Sequence, residues 1–429
     1  MKYLRKHQNA SVAKDSLAYI KRKKIVVTAH LRLLNNIRVL AILIALLPSI
    51  SVYASDGMLD LTFDPLSSDV FGGVVNAIAI QDNGQIIVGG DFTAIGGLPR
   101  NNLARLNADG SADPTFDPNP NFPVFDIVLT EDNKILVGGQ FNEIAGSQQY
   151  RLAKLNLDGS IDATFSSPID NVNGLEGVLT MERQGSSVLF AGRFSRLNGN
   201  EYTNIARLFS SGAVDTDFTP NPVGNVLDIA IQTNGKIIVA SGSNLTRFET
   251  NGDRDLDFNP NPNGVNLNSI GLQSDGKIIV LGDFSVIDQQ FHSRIARLNP
   301  NGSLDPTLKP EPNGNPQKVI VLDDDSLLIS GNFTMLGSTT ANRVARLNPN
   351  GTIDTSFQTP LINSSVREMA IQDDGQILIG GPFFLVDGIS RHRIARLDNN
   401  VPDPDPETED QTNFIVIPLA NDKTAVIPL

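Results

Sequence analysis

One phrase recurs along the chain, and it limits the possible folds more than any other feature. An apolar strand leads through a Gly turn to a second strand ending in Gly-x-Phe. A loop follows, and then Ala-Arg-Leu-Asn, Asp-Gly-Ser and Asp-x-Thr-Phe. The clearest copy occupies residues 77–92 and 103–116. The Gly before x-Phe falls at 90, 139, 192, 282, 331 and 381, with Gly242 as a degenerate copy, so successive spacings are 49, 53, 50, 40, 49 and 50. Such a period means one supersecondary unit repeated, no copy of which can bury its apolar surface alone.

Each unit has room for about four short strands. Ile78, Ile80 and Ile86-Ile87-Val88 flank Asn83-Gly84, a strong hairpin signal. A third strand is expected over residues 103–107 and a shorter fourth over 113–116. Apolar residues at nearly every strand position fit sheets covered on both faces, and Gly89-Gly90 fits close approach of neighbouring backbones. Four strands per unit at this period predict an all-β, seven-bladed β-propeller over residues 55–400. A copy of Asp-Gly-x-x-Asp-x-Thr-Phe stands before the first unit, at residues 56–63, and none follows the last Ala395-Arg-Leu-Asp398. The orphan segment is therefore expected to complete the last blade and close the ring. A β-solenoid or a six-bladed ring is the rival arrangement.

The run Asp-Gly-Ser-x-Asp-x-Thr-Phe, followed by x-Ile-Gln-x-Asp-Gly-Lys-Ile-x-Val-Gly-Gly-x-Phe, resembles the delta-60 repeat of secreted bacterial proteins. The resemblance covers roughly residues 56–398 and implies a propeller; it implies little about activity.

The two ends differ from the repeats. Residues 1–54 carry ten Lys/Arg and one Asp, so a formal −13 for the whole chain leaves −22 for residues 55–429. A body this acidic is poorly matched to nucleic acid or anionic lipid. Lys21-Arg22-Lys23-Lys24, Arg32 and Arg38 precede an apolar run from Val39 to Leu47, and Val52-Tyr53-Ala54 resembles a signal cleavage site. Residues 1–54 thus read as an export signal with a long basic leader, too short in its apolar part to leave a stable transmembrane span. The absence of cysteine suits an oxidising compartment, so an extracellular, cell-surface or periplasmic location is expected. Residues 401–411 form an acidic, Pro-rich linker. Residues 412–429 form a short apolar segment, readable as a hairpin that serves as a sorting or docking tag.

The repeats offer several chemical readings that their own repetition weakens. Gly89-Gly90-Asp91-Phe92 resembles part of a nucleotide cyclase signature, but the same slot reads Gly-Gly-Gln-Phe at 138–141 and Gly-Gly-Pro-Phe at 380–383. Asn107, Asp109, Ser111 and Asp113 alternate as in some calcium loops, but lack a closing Glu and vary between copies. Arg105, Arg207, Arg247, Arg297, Arg346 and Arg396, with Lys154, share one slot. An interblade ion pair with the repeat's own Asp explains them better than an anion site. Beyond residue 54 the only histidines are His292 and His392, neither in a triad or metal-ligand spacing. No cofactor is called for.

Function is then expected where units differ. The loops between Gly-x-Phe and Ala-Arg-Leu carry Tyr150, Tyr202, Phe291, His292 and His392, and the unit around Gly242 lacks this loop. These five residues are the candidate ligand-binding set on one rim of the ring. The reading is a non-enzymatic exported scaffold that binds a protein or glycan partner. The alternative is a polysaccharide-acting hydrolase or lyase using channel or rim carboxylates.

Overall fold

The computed structural model describes residues 56–65, 73–170 and 177–399 except Val223, Ser243 and Asn261, together with backbone strands Phe414–Leu419 and Lys423–Pro428. The chain divides into two compact units, Met1–Tyr53 and Ala54–Leu429. The first unit lies outside the described residues, and so do the expected export signal and the acidic linker. No described helix is long and apolar enough to cross a membrane.

Among the described residues, seven antiparallel sheets of three or more strands follow one another in chain order. Their inner, middle and third strands are Val74–Ile80, Ile86–Asp91 and Leu103–Leu106 in the first sheet, and Val124–Leu129, Ile135–Gly139 and Leu152–Leu155 in the second. The third sheet holds Gly177–Gln184, Ser187–Arg193 and Ile205–Leu208, and the fourth Val226–Ile231, Ile237–Ser241 and Asn244–Phe248. The fifth is Asn263–Leu272, Ile278–Ile287 and Ile295–Leu298, and the sixth Pro316–Val321, Leu327–Gly331 and Val344–Leu347. Glu368–Ile371, Ile377–Gly380 and Ile394–Leu397 complete the set. Each inner strand touches the next, and that of the seventh sheet touches that of the first.

The middle strands bury nearly every side chain, as expected of sheets stacked on both faces. The core is accordingly distributed over seams. Seven apolar clusters each join two successive sheets, and the one containing Phe63, Val75 and Leu378 joins the seventh sheet to the first. Glycine lets these seams close. A Cβ on Gly89 would lie 2.5 Å from Val124 Cγ1, and one on Gly380 2.6 Å from Val75 Cγ1.

The expected fourth strand forms in the fifth sheet, where Leu304–Asp305 pairs with Arg297 and Leu298, and elsewhere it is reduced to a single bridge and a turn. Leu106 bridges Ala112, and equivalent bridges recur along the chain. The chain then folds back because Asp113 Oδ1 accepts both the Thr115 N–H at 2.8 Å and its hydroxyl at 2.7 Å. Short-range bonds of this kind hold the turn at which the pairing ends. In the seventh sheet the bridge comes from the other end of the chain: Leu59 pairs with Leu397, and the Asp60 N–H donates to the Arg396 carbonyl at 2.9 Å. The orphan N-terminal copy thus completes the last sheet.

The Arg slot works differently from its sequence reading. Each Arg pairs with the Asp of its own unit, for example Arg207 with Asp215 at 2.9 Å and Arg297 with Asp305 at 2.9 Å. Crossing to the next unit falls mainly to a hydrogen bond, although Arg346 of the sixth sheet also makes an ion pair with Asp56 of the segment that completes the seventh, at 2.5 Å. Arg207 Nη1 donates to the Thr250 carbonyl at 2.9 Å, and Arg297 Nη1 to that of Pro349 at 2.6 Å. The guanidinium also lies over the Phe of Asp-x-Thr-Phe, 4.4 Å from the ring centre in the Arg207–Phe218 pair. At the closure, Arg396 repeats all three contacts, with Asp60, the Ala108 carbonyl and Phe63.

Candidate functional site

Two places escape the repeat's packing rules: the channel wall and the rim of small hairpins. The channel slot falls on each inner strand opposite a small or apolar residue of the middle strand. It reads Ala77, Asp126, Thr180, Asp228, Ser269, Lys318 and Glu368. In the first six sheets a one-residue irregularity in register precedes it, and such bulges re-aim a side chain. These side chains stitch one sheet to the next. Asp126 accepts the Ile127 N–H at 2.7 Å and the Met181 N–H of the third sheet. Asp228 accepts Ile229 N–H at 3.0 Å and Ile270 N–H of the fifth sheet at 2.7 Å. Lys318 Nζ lies 3.3 Å from Glu368 Oε1, which also accepts the Met369 N–H.

The electrostatics follow from four carboxylates, Asp126, Glu182, Asp228 and Glu368, that all feel the charge of Lys318. Burial, opposed by Lys318 and the Met181 N–H, pushes Asp126 up to about 7. Burial and the neighbouring Asp228 push Glu182 up to about 7, although this side chain remains open to channel water. Burial also raises Asp228 and Glu368. Lys318 is raised, chiefly by Glu368. Carboxylic acids that titrate near neutrality can bind protons, attract a cationic group or act in acid–base chemistry.

The hairpin rim carries the residues expected from sequence. Two-residue strands such as Glu143–Ile144 with Ser147–Gln148, and Leu385–Val386 with Ile389–Ser390, build it. The fourth sheet has no hairpin: Ser241 pairs directly with Asn244 across the turn, as its short spacing requires. Tyr150 and His392 are half-buried and occupy one slot of their units. Tyr202 and His292 occupy the slot before it. Tyr202 packs on the cluster around Phe165, and burial raises its phenol. His292 is 2% exposed, with Nε2 2.7 Å from the Leu308 carbonyl. It fills the place where Arg100 donates to the Phe116 carbonyl at 3.0 Å. Phe291 is 71% exposed.

These five residues share a rim but not a pocket. Three concavities of about 300, 550 and 430 Å³ are lined by the turns between inner and middle strands together with residues at and after the third strands, and none of the five lines them. Unforeseen from sequence are Leu361, Phe384 and Ile389, all exposed around the seventh sheet's hairpin. The channel slot was also unforeseen; its signal is a position that varies between units while its neighbours stay apolar. The calcium-like oxygens are occupied internally: Ser111 donates to Asp109 at 2.7 Å, and Asp113 holds Arg105 at 2.9 Å. Among the described residues, no group of three or more His, Asp or Glu is arranged to hold a metal ion.

Repeated sheets in cyclic contact around a charged channel define the class: this chain is a β-propeller repeat protein. Residues 81–116, 130–165, 187–218, 273–308, 322–357 and 372–400 match the β-propeller family model described as a domain of unknown function, DUF5122. The fourth sheet falls between matched segments. No curated protein matches the sequence. Among solved structures, the WD40 repeats of RRP9 share 10% identity over 80% of this chain and 99% of that one, with a TM-score of 0.54. The extracellular domain of BT4673 from B. thetaiotaomicron is 16% identical over 83% of this chain and 41% of that one, at 0.51. A catalytically inactive virginiamycin B lyase from Staphylococcus aureus is 15% identical over 78% and 98%, at 0.50. These likenesses establish the fold alone.

Proposed function

We propose that the chain is an exported, non-enzymatic scaffold whose hairpin rim binds a protein or carbohydrate partner at the cell envelope or outside the cell. One observation carries this reading. Phe291, Leu361 and Phe384 stay exposed on the rim at 71%, 68% and 55%, while most of the repeats' large apolar side chains are buried at the seams; Leu256, Leu61 and Phe122 are exposed as well. Large apolar side chains on short, anchored hairpins suit stacking against a sugar face or an apolar peptide. A closed ring of seven blades is the architecture we assign, supported by the cyclic contacts of the inner strands. The delta-60 resemblance and residues 1–54 favour export, and residues 412–429 are assigned as a sorting or docking tag.

The enzyme alternative draws on Asp126 and Glu182, whose acidity suits proton transfer at neutral pH. It is the weaker reading, because Asp126, Asp228 and Glu368 already accept backbone N–H groups. A glycan array run beside pull-downs from envelope extract tests the proposal, comparing the native protein with the Phe291→Ala/Phe384→Ala variant. The variant should stay folded and lose at least tenfold in capture of the bound partner. Equal capture by both proteins would refute a rim site.

A further inference from the structure

One turn departs from the rule that others follow. Beyond the third strand, the turn of four sheets is held by an Asn that donates to a hydroxyl four residues on: Asn107 to Ser111 at 3.0 Å, Asn156 to Ser160 at 2.8 Å, Asn299 to Ser303 at 2.9 Å and Asn348 to Thr352 at 3.0 Å. The third sheet keeps the backbone of this turn, the Phe209 N–H donating to the Ala213 carbonyl at 2.9 Å, but sets a phenyl ring in the Asn slot. Phe209 is 46% exposed and lines a cavity of about 300 Å³ beside the turn over residues 130–134. The same turn walls a second cavity of about 430 Å³, where Leu157 is 45% exposed. Both lie at the end of the middle strands away from the hairpin rim.

The second cavity also holds an unanswered acceptor. Gln81 lines it and is 7% exposed, and its Oε1 has no hydrogen-bond partner among the described residues. Elsewhere the equivalent oxygen accepts from the slot Arg: Gln184 from Arg207 at 3.0 Å and Gln372 from Arg396 at 3.4 Å. Arg105 Nη1 donates to the Leu157 carbonyl and leaves Gln81 Oε1 unserved. A buried acceptor in this state is open to a donor from outside the chain.

The lining narrows the class of occupant. Asp82, Glu131 and Asp132 are matched in number by Lys134, Lys154 and Arg183. The cations already have partners, Lys154 with Asp132 at 2.6 Å, Arg183 with Glu131 at 3.8 Å and Lys134 with Asp162 at 3.9 Å. The groove therefore offers a charged ligand no net attraction. Its turn is closed on itself, the Thr130 N–H donating to the Lys134 carbonyl and the Asn133 N–H to that of Thr130, each at 3.0 Å. A peptide thus finds no strand edge there to extend. What remains is an apolar side chain on each side of the turn, the Gln81 acceptor, and the hydroxyls of Ser186 and Ser210, which have no partner among the described residues. Uncharged rings with an apolar face and outward hydroxyls suit that combination. We propose that the turn over residues 130–134 and its two flanking cavities bind a neutral oligosaccharide. One sugar ring lies against Phe209 and another against Leu157, with a hydroxyl donating to Gln81 Oε1. The site is separate from the hairpin rim and does not depend on it.

The test is isothermal titration of the full chain with neutral oligosaccharides of glucose, mannose, galactose and N-acetylglucosamine, and with oligogalacturonate as the acidic contrast. At least one neutral sugar should bind, and more tightly than oligogalacturonate. Phe209→Asn restores the side chain that four other turns use, so it should keep the native thermal midpoint while affinity falls about tenfold or more. Leu157→Ser, at an exposed position, is the second variant should the first not fold, and its affinity should fall in the same direction. Phe291→Ala/Phe384→Ala should bind these sugars as the native protein does, which separates this site from the rim. Affinity unchanged in both groove variants, a preference for oligogalacturonate, or no heat above dilution with every neutral sugar would overturn the site. Loss of sugar binding in the rim variant alone would place it on the rim instead. Capture of a random-library peptide that Phe209→Asn abolishes, with no sugar bound, would overturn the glycan as its occupant.

Discussion

Substituting Phe63 by Ala should open the seam between the seventh and first sheets, next to the N-terminal segment that completes the seventh sheet. Phe63 has no exposed surface and sits among Val75, Ile86, Leu378 and Ile394, residues of the first and seventh sheets. Removing such a ring costs about 3–5 kcal/mol in a core that cannot collapse around the void. The Arg396 guanidinium, 5.0 Å from the ring centre, also loses about 0.5–1 kcal/mol of cation–π attraction. Against a typical stability of about 5–15 kcal/mol, this is a large share. Phe218→Ala is the matched control, since that ring is equally buried and lies 4.4 Å from Arg207. Both variants should show a similar loss in guanidinium unfolding followed by far-ultraviolet circular dichroism. They should part in hydrogen exchange: only Phe63→Ala should accelerate exchange in Val74–Ile80 and Ile394–Leu397, because the closing segment then frays locally. Leu61→Ser, at an exposed position of the same segment, should leave both measurements within about 0.5 kcal/mol of native. A Phe63→Ala loss under about 1 kcal/mol, with exchange unchanged in those strands, would refute closure through this segment.

Two further outcomes follow from the seams. Asp113 and Asp255 are held at about 2 where hydrogen bonds from Thr115 or Lys236, and from the slot arginines, outweigh burial. Their folded pKa values lie below the unfolded ones, so their contribution is present above about pH 4 and is lost as pH falls towards 2. Acid titration by circular dichroism should show this loss, and Asp255→Asn should diminish it. Gly380→Ala places a Cβ 2.6 Å from Val75 Cγ1 at the closing seam and should cost about 1–3 kcal/mol by overpacking, read as a lowered thermal midpoint. No change in that midpoint would mean that the seventh and first sheets are not in contact there.

The architecture was legible because a repeat reports packing seven times over. The hairpin at Asn83-Gly84, the absent loop beside Gly242 and the unmatched copy at residues 56–63 all translate directly into structure. Side-chain geometry was harder to read. The Asp of each repeat was expected to bind across blades, yet the eight-residue spacing between Arg207 and Asp215 places both on one sheet. The second unit departs again: Lys154, a point charge without a fork, pairs with Asp132 at 2.6 Å, while Lys134 turns towards Asp162 at 3.9 Å. His292 looked like a rim ligand because histidine is polar and falls in a loop. Only the fold shows it doing the work of Arg100, its ring closing onto a backbone carbonyl.

The channel was invisible for a related reason. A bulge re-aims one residue of the inner strand in each of the first six sheets, and periodicity cannot reveal which one, since the flanking apolar pattern continues on either side. Yet this slot and the hairpins share a physical property: their side chains differ from unit to unit while the strand pairing beneath them is kept. Ala77 and Glu368 occupy equivalent slots with the same strand pairing beneath them, so substitution there changes charge while leaving the ring intact. The buried Phe and Arg positions have no such freedom, because each contributes to a cluster or a bond shared by two sheets. Individual chemistry in this protein is therefore carried by positions whose side chain the repeat does not fix. The channel acids and the exposed rim aromatics meet that condition, whereas the conspicuous Arg and Asp rows do not.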